Sequence, residues 1–351
     1  ARSAAGQDAP LPEDVRSPAA LRRTLDYLID TVLGGNDLPA VHGFLWDRTR
    51  AIRRDFVFQQ SSMSSQELLD QVYCLEQITR FHVVALHQMS HEDVIAEDFS
   101  EQQEVEQLGK APLSLIHAYE DCMAQGINCE NESEFRAYYI LFNSHNTGIL
   151  EAVQDWGWKY WGESDDIRAA VNLVETLQNV WDTQGPLKPH STTDIAQNAY
   201  LRFFSIIEDS NISYTMACFA EIHFNKIRKA ALKTILASYR KQRDQTTDWT
   251  LERLNSYLHF DHESDVVTFG EAYGVHFDIL NGQECLSFES DDHMTDPFPQ
   301  LKQPHSYKLV ERKRGHHILP EVIHHTVYEE TIGNAVDEDD GNSLFVTAPF
   351  D

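Results

Sequence analysis

From residue 17 to about residue 243, apolar residues recur at helical spacing almost without interruption, and strand signals are nearly absent. A chain patterned this way folds as many helices joined by short polar turns. The first stripe is Leu21, Leu25, Leu28 and Val32, opened by Ser17 as N-cap with Pro18 at the first helical position and stopped by Gly34 and Gly35. A second helix opens near Leu38 and Pro39. A third begins where Ser64 and Glu67 take capping-box spacing, and it carries Leu68, Val72, Leu75, Ile78, Val83 and Leu86. Further helices are predicted over 101–125, 133–143, 148–161, 165–181 and 193–207. The sum suggests a helical-repeat array, although no fixed sequence period is visible.

The last third changes character. A basic helix over 225–239 is followed by WTLERLNSYLHF and then SDVVTFGEAYGVHF, where Val266, Phe269 and Tyr273 form a stripe and Gly274 is a natural stop. In FDILNGQECLSF, Ile279 and Leu286 flank an Asn281-Gly282 turn signal. Three helices followed by a small hairpin is the order of a winged helix. The expected division is a flexible lead (1–14), a helical-repeat domain (15–224), a winged-helix domain with a basic extension (225–330) and an acidic tail (331–351).

The formal net charge is -28, a balance that by itself argues against nucleic acid. Its distribution says otherwise. KIRKAALKTILASYRKQR holds Lys226, Arg228, Lys229, Lys233, Arg240, Lys241 and Arg243 with no acid, and KLVERKRGHH adds Arg312, Lys313 and Arg314. These ten cations are the candidate phosphate contacts, and nothing in them implies base-specific readout. The five cysteines lack C-x-x-C spacing, which points to free thiols in a reducing compartment. No apolar run approaches the roughly 18 residues of a spanning helix, so no membrane insertion is expected, and the N-terminus lacks the order of a signal peptide.

FLWDRTRAIRRDFVFQQ concentrates cations elsewhere. On a helix Val41, Leu45, Ile52 and Phe56 share one face with Arg48 at its edge, while Trp46, Arg50, Arg53 and Arg54 project to the other side and Asp47 is placed to pair with Arg50. Arg and Trp together suit a partner surface, although internal ion pairing between stacked helices explains Arg48 equally well.

VRSPAALRRTLDYLID followed by LPAVHGFLWDRTRAIRRDF resembles the opening of the middle region of the Sac/GANP family, as in the fungal scaffold subunit of transcription-and-export complex two. The resemblance covers roughly residues 15–288. It implies a mainly α, TPR/PCI-like superhelix ending in a winged helix, a nuclear location at the pore and a role in mRNA export. It also implies a PCI-type partner subunit, a small acidic proteasome-related subunit, and a shared platform for RNA or single-stranded nucleic acid. Contacts to transcriptional Mediator and a DEAD-box export helicase are associated with the same region. Carried over by motif, Arg16 and Arg48 become partner contacts; the helix face adds Trp46, Arg50, Arg53 and Arg54 to that surface, and the apolar side of the wing (Ile279, Leu286, Phe288) is expected to form part of the subunit contact. Ser17 departs from the proline of many relatives, which alters the cap.

Other groupings are weaker. In HFDHESD, His259, Asp261, His262, Glu263 and Asp265 offer metal donors, but the stretch falls between two predicted helices where polar loop residues and an N-cap are expected. His316, His317, His324 and His325 read as structural, and Trp156, Trp158, Tyr160 and Trp161 as packing between helices. G-x-S-x-G, GxxxxGK[ST] and G-x-G-x-x-G are all missing from the sequence. The expectation is therefore a scaffold with no catalytic residues, no metal and no cofactor. Two alternatives remain open: a PCI scaffold of the proteasome-lid or signalosome kind without nucleic acid, and a metal-dependent hydrolase built on His259 and His262.

Overall fold

A computed structural model of the chain describes residues 11–59, 63–94, 99–180, 199–239, 246–288, 294–297 and 300–330. It is mainly helical. A short 3-10 turn (Pro12–Asp14) leads into α1 (Pro18–Asp26), which widens into a π-helical turn (Tyr27–Leu33) before α2 (Leu38–Val57) and α3 (Ser65–Met89). There follow α4 (Glu101–Ala124), α5 (Glu132–Phe142), α6 (Ile149–Asp155), α7 (Trp158–Trp161), α8 (Asp165–Val180), α9 (Ala199–Glu208) and α10 (Tyr214–Glu221). Then come α11 (Phe224–Tyr239), α12 (Leu251–Leu258), α13 (Glu263–Ala272), the hairpin β1 (Phe277–Leu280) and β2 (Gln283–Leu286), a 3-10 turn (Glu311–Arg314) and α14 (Leu319–His324).

Local chemistry sets the boundaries. The capping box at Ser64 is formed: its backbone N donates to Glu67 Oε2 at 2.8 Å, and Ser64 Oγ accepts from the Glu67 backbone N. The single helix expected over 148–161 is split into α6 and α7, because Gly157 takes a φ of 93°, which ends one helix and starts the next. The helix α10 was not foreseen. Every one of its residues is buried, so it shows no apolar-polar period.

Two apolar clusters meet on opposite sides of α3. Leu21, Leu25, Leu45, Ile52 and Phe56 pack with Cys74, Ile78, Phe81 and Ala85 on one side. Leu68, Val72, Leu75, Val83 and Leu86 open the larger cluster, which continues through α4, α5, α8, α9 and α10 to Leu254, Leu258, Val266 and Phe269. From Gln71 to His87 every residue of α3 except Tyr73 is buried. A helix covered on all sides must pair its ionisable groups. Asp70 takes Arg22 at 2.9 Å, Glu76 takes the Tyr119 hydroxyl at 2.7 Å, Arg80 reaches Glu134 at 2.6 Å, His82 meets Glu104 at 2.6 Å, and His87 meets Glu221 at 2.6 Å. The partners lie on α1, α4, α5 and α10, so the pairs fix how four neighbours sit against one helix.

The hairpin pairs Phe277 with Leu286 and Leu280 with Gln283. Its turn puts Asn281 and Gly282 at φ 54° and 80°, the two left-handed residues of a tight hairpin turn. Thr250, just before α12, forms a bridge with Cys285, and Leu286 N donates to Trp249 O at 2.9 Å.

Residues 300–330, grouped by sequence with the C-terminal unit, run back across the helical body. Gln303 N donates to Glu101 at 3.1 Å, Tyr214 N to the Val327 carbonyl at 2.8 Å, and Arg80 to the carbonyls of Ile323 and His324 at 3.3 and 3.1 Å. This segment is a strap that closes over α3, α4 and α10. No helix among the described residues is long and apolar enough to cross a membrane.

Candidate nucleic-acid and partner interface

On α2 the arginines divide by what they touch. Arg48 pairs with its neighbour Asp47, which was expected to pair with Arg50, and its guanidinium lies 5.7 Å from the Phe44 ring. Arg50 sits over Trp46 at 5.8 Å, and Arg54 is exposed. Arg53 corrects the outward reading. It turns inward, donates to Gln107 on α4 and leaves Nε without a protein partner, and burial with the nearby Arg50 charge holds its pKa down to about 10. Arg16 lies 39 positions before Asp55 and donates to it at 2.7 Å. The outward set is therefore Phe44, Trp46, Arg48, Arg50 and Arg54.

The basic helix is thinner in available charge than its sequence. Lys226 and Lys233 are exposed on α11, and Lys229, half-buried, pairs with Asp296. Arg228 was expected among the surface cations and is instead buried at 1% exposure. It donates to the carbonyls of Leu258 and His259 at 2.8 and 2.7 Å and stacks 3.8 Å from the Phe260 ring centre. Burial pushes its pKa down to about 9, so this guanidinium is the linchpin between α11 and α12 and faces no solvent. Arg240, Lys241 and Arg243 lie outside the described residues.

The second basic cluster is largely internal. Lys313 is fully buried and donates to the Asp209 carbonyl at 2.8 Å, Arg314 binds Glu311 at 2.8 Å and the His317 carbonyl at 2.8 Å, and Arg312 faces Glu329 at 3.5 Å. The sequence counts charges but cannot see that three consecutive cations anchor the strap. Lys313 is thus a core residue, opposite to its expected place at a surface.

At the hairpin the expected apolar contact residues separate as well. Ile279 is 78% exposed, Leu286 is in the core, and Phe288 is half-buried against Tyr239, 4.7 Å between ring centres. Only Ile279 is presented outward.

The histidine groups have structural partners. His259, in left-handed conformation at the end of α12, stacks on Phe204 and lies 3.1 Å from Glu208. The His262 backbone N donates to Asp265 Oδ2 at 3.1 Å, and Asp261 accepts from the backbone N of Tyr307 and Lys308 at 2.5 and 3.0 Å. HFDHESD therefore serves as a helix cap and a strap anchor. Arg136 is held between Trp156 and Tyr160 at 4.6 and 4.9 Å, while Trp158 and Trp161 remain exposed beside each other. All five cysteines are buried free thiols. The sequence reading missed the strap and the polar pairs of α3, although the His87, His91 spacing, i and i+4, was in view.

Comparison with known proteins matches residues 1–279 to the SAC3/GANP family model. SAC3 family protein 1 of Schizosaccharomyces pombe is 33% identical over 93% of this chain. Protein xmas of Drosophila melanogaster is 28% identical over 89% of it, and SAC3 family protein B of Arabidopsis thaliana 28% over 63%. The chain spans 31%, 14% and 12% of these relatives' own lengths.

Proposed function

The chain belongs to the SAC3/GANP family, and on that premise we propose that it is the non-enzymatic scaffold core of a nuclear mRNA-export complex at the pore. Its C-terminal unit, α11 to β2, acts as a winged helix. That reading is supported by three helices preceding a tight hairpin and by Thr250 bridging β2 as a third, minimal strand. This end pairs with a PCI-type subunit, which in turn holds a small acidic subunit. Ile279 at the hairpin supplies the apolar contact, and Lys226 and Lys233 supply phosphate contacts on the shared platform for RNA or single-stranded nucleic acid. Phe44, Trp46, Arg48, Arg50 and Arg54 on α2 form a separate protein-binding face, with Mediator or a DEAD-box helicase as occupants.

The observation that carries the reading is the coexistence, on one small unit, of an exposed apolar hairpin residue and exposed lysines on its first helix. The test is binding of a short single-stranded RNA across a salt series, by the chain alone and with its PCI-type partner, with Lys226→Glu and Lys233→Glu together. Binding that requires the complex, weakens steeply with salt and falls in the double variant supports a platform. No binding in any form leaves a protein-only scaffold. That second reading is favoured by Arg228, Lys313 and Arg314 being turned inward, which leaves less cation for phosphate than the sequence suggests.

A further inference from the structure

At the C-terminal end of α3, four imidazole or carboxylate side chains from two segments distant in sequence crowd together. Nε2 of His87 lies 3.0 Å from Oε2 of Glu311 on the strap. The His305 ring stacks on His87 with centres 4.2 Å apart, and His91, one turn beyond His87, meets His305 edge-on at 4.7 Å. Ligand atoms of His87, His305 and Glu311 all fall within 4.8 Å of one another.

We propose that the end of α3 and the strap form a zinc site, with His87 Nε2, His305 and Glu311 Oε2 as protein ligands and His91 or water in the fourth position. Two imidazoles and one carboxylate are a donor set suited to a borderline ion such as Zn²⁺ rather than to Ca²⁺ or Mg²⁺.

The surroundings are arranged as an outer shell. Glu221, fully buried, holds Nδ1 of His87 at 2.6 Å, the carboxylate-histidine relation that leaves Nε2 aimed at a metal. Glu221 also accepts the backbone N of Ser306 at 2.7 Å, so the same carboxylate fixes the strap beside His305. Arg314 occupies Oε1 of Glu311, and the side chains of Gln88 and Tyr214 donate to Oε2 at 2.7 and 3.2 Å, which steadies the carboxylate facing His87. His305 is half-buried, and its neighbour Ser306 is held by Glu221 through the backbone N and by Asp261 through the side chain, so the His305 ring turns toward the ion while the chain beside it stays anchored. Closing the site draws together ligand atoms that already lie one coordination sphere apart and ties residues 305–311 to α3. The exposed group His316, His317 and Glu330 provides the contrast, since it is open to solvent.

The experiment titrates Zn²⁺ into the untagged, chelator-stripped intact chain against a chromophoric chelator, comparing wild type, His305→Ala and the double variant His316→Ala, His317→Ala. His305 is half-exposed, so its loss leaves the fold in place, which circular dichroism checks. The expected result is one tightly held Zn²⁺ per chain, a raised unfolding temperature on binding, and at least a tenfold loss of affinity in His305→Ala with none in the double variant. Wild-type binding in His305→Ala, binding that disappears only in the double variant, or no stoichiometric zinc at all overturns the proposal.

Discussion

Arg16 Nε donates to Asp55 Oδ2 at 2.7 Å, which fastens the arginine that opens the first motif to the acid near the end of the second. The link is doubled by Gln59, whose side-chain amide donates to the carbonyls of both Arg16 and Asp55 at 2.8 and 2.9 Å. Asp55 is nearly buried while Arg16 is about one-third exposed, so the arginine reaches in to neutralise the acid. Two stretches that look like a recognition surface in the sequence are in part a clasp between the start of α1 and the end of α2.

Reversing that charge, Arg16→Asp, places two carboxylates together at a poorly solvated position. The expected cost is about 1–3 kcal/mol of unfolding free energy, from the lost charged hydrogen bond and the stranded Asp55. Urea unfolding measures it, and the double variant Arg16→Asp, Asp55→Arg should recover a good part. Unchanged stability with lost partner binding would instead make Arg16 a contact residue.

Arg228 and its neighbours on α11 offer a sharper contrast. Arg228→Glu removes both carbonyl bonds to the end of α12 and buries a carboxylate against Phe260, so unfolding of the C-terminal unit is expected at a cost of roughly 3–5 kcal/mol. Lys226→Glu with Lys233→Glu should leave stability within about 0.5 kcal/mol, because both are exposed. Parallel chemical denaturation decides. Equal stability of the two variants would mean that Arg228 is not the tie described.

Much of the helical order was legible because amphipathic stripes and caps are local. Ser64 with Glu67, Gly274 after Tyr273, and Asn281 with Gly282 each act within a few residues, and each sits where its chemistry placed it. The failures share one cause, which is that burial is decided by distant partners. Nothing local distinguishes Arg228, capping α12, from Lys226, two residues earlier on the outer side. The wholly buried α10 has no polar face to set a period, and the strap reads as a loop because its anchors, Glu101, Glu221 and Asp261, lie far away in sequence. At the interface the outward residues Trp46, Arg48 and Ile279 were named from motif and pattern, whereas the inward turns of Arg53 and Lys313 depend on Gln107 and the Asp209 carbonyl.

The two partner faces should separate in binding assays. Ile279→Asp at the hairpin is expected to leave unfolding unchanged, since the side chain is 78% exposed, and to weaken the PCI-type partner at least tenfold. Arg48→Glu should spare that partner and affect a different one. Pull-down and titration with the purified PCI-type subunit read both, and partner affinity unaltered in Ile279→Asp removes the hairpin from the interface.

His223 makes the stability of the fold depend on pH in a defined direction. Its Nε2 lies 3.3 Å from the Leu141 carbonyl, to which it donates, while Nδ1 has no protein partner. Burial first, and the charge of Lys226 second, hold its pKa down to about 3 from the ordinary 6.5. Below pH 6.5 the unfolded chain takes up a proton that the folded chain refuses until about pH 3, so acid favours unfolding. The contribution is complete above pH 6.5 and declines as pH falls toward 3, with a slope of about 1.4 kcal/mol per pH unit in between. From pH 7 to 5 this one group should remove about 2 kcal/mol. His223→Gln keeps a donor near Leu141 but does not titrate. Urea unfolding at both pH values should therefore show wild type losing about 2 kcal/mol more than the variant, and equal losses would mean that His223 is not held neutral in the folded chain.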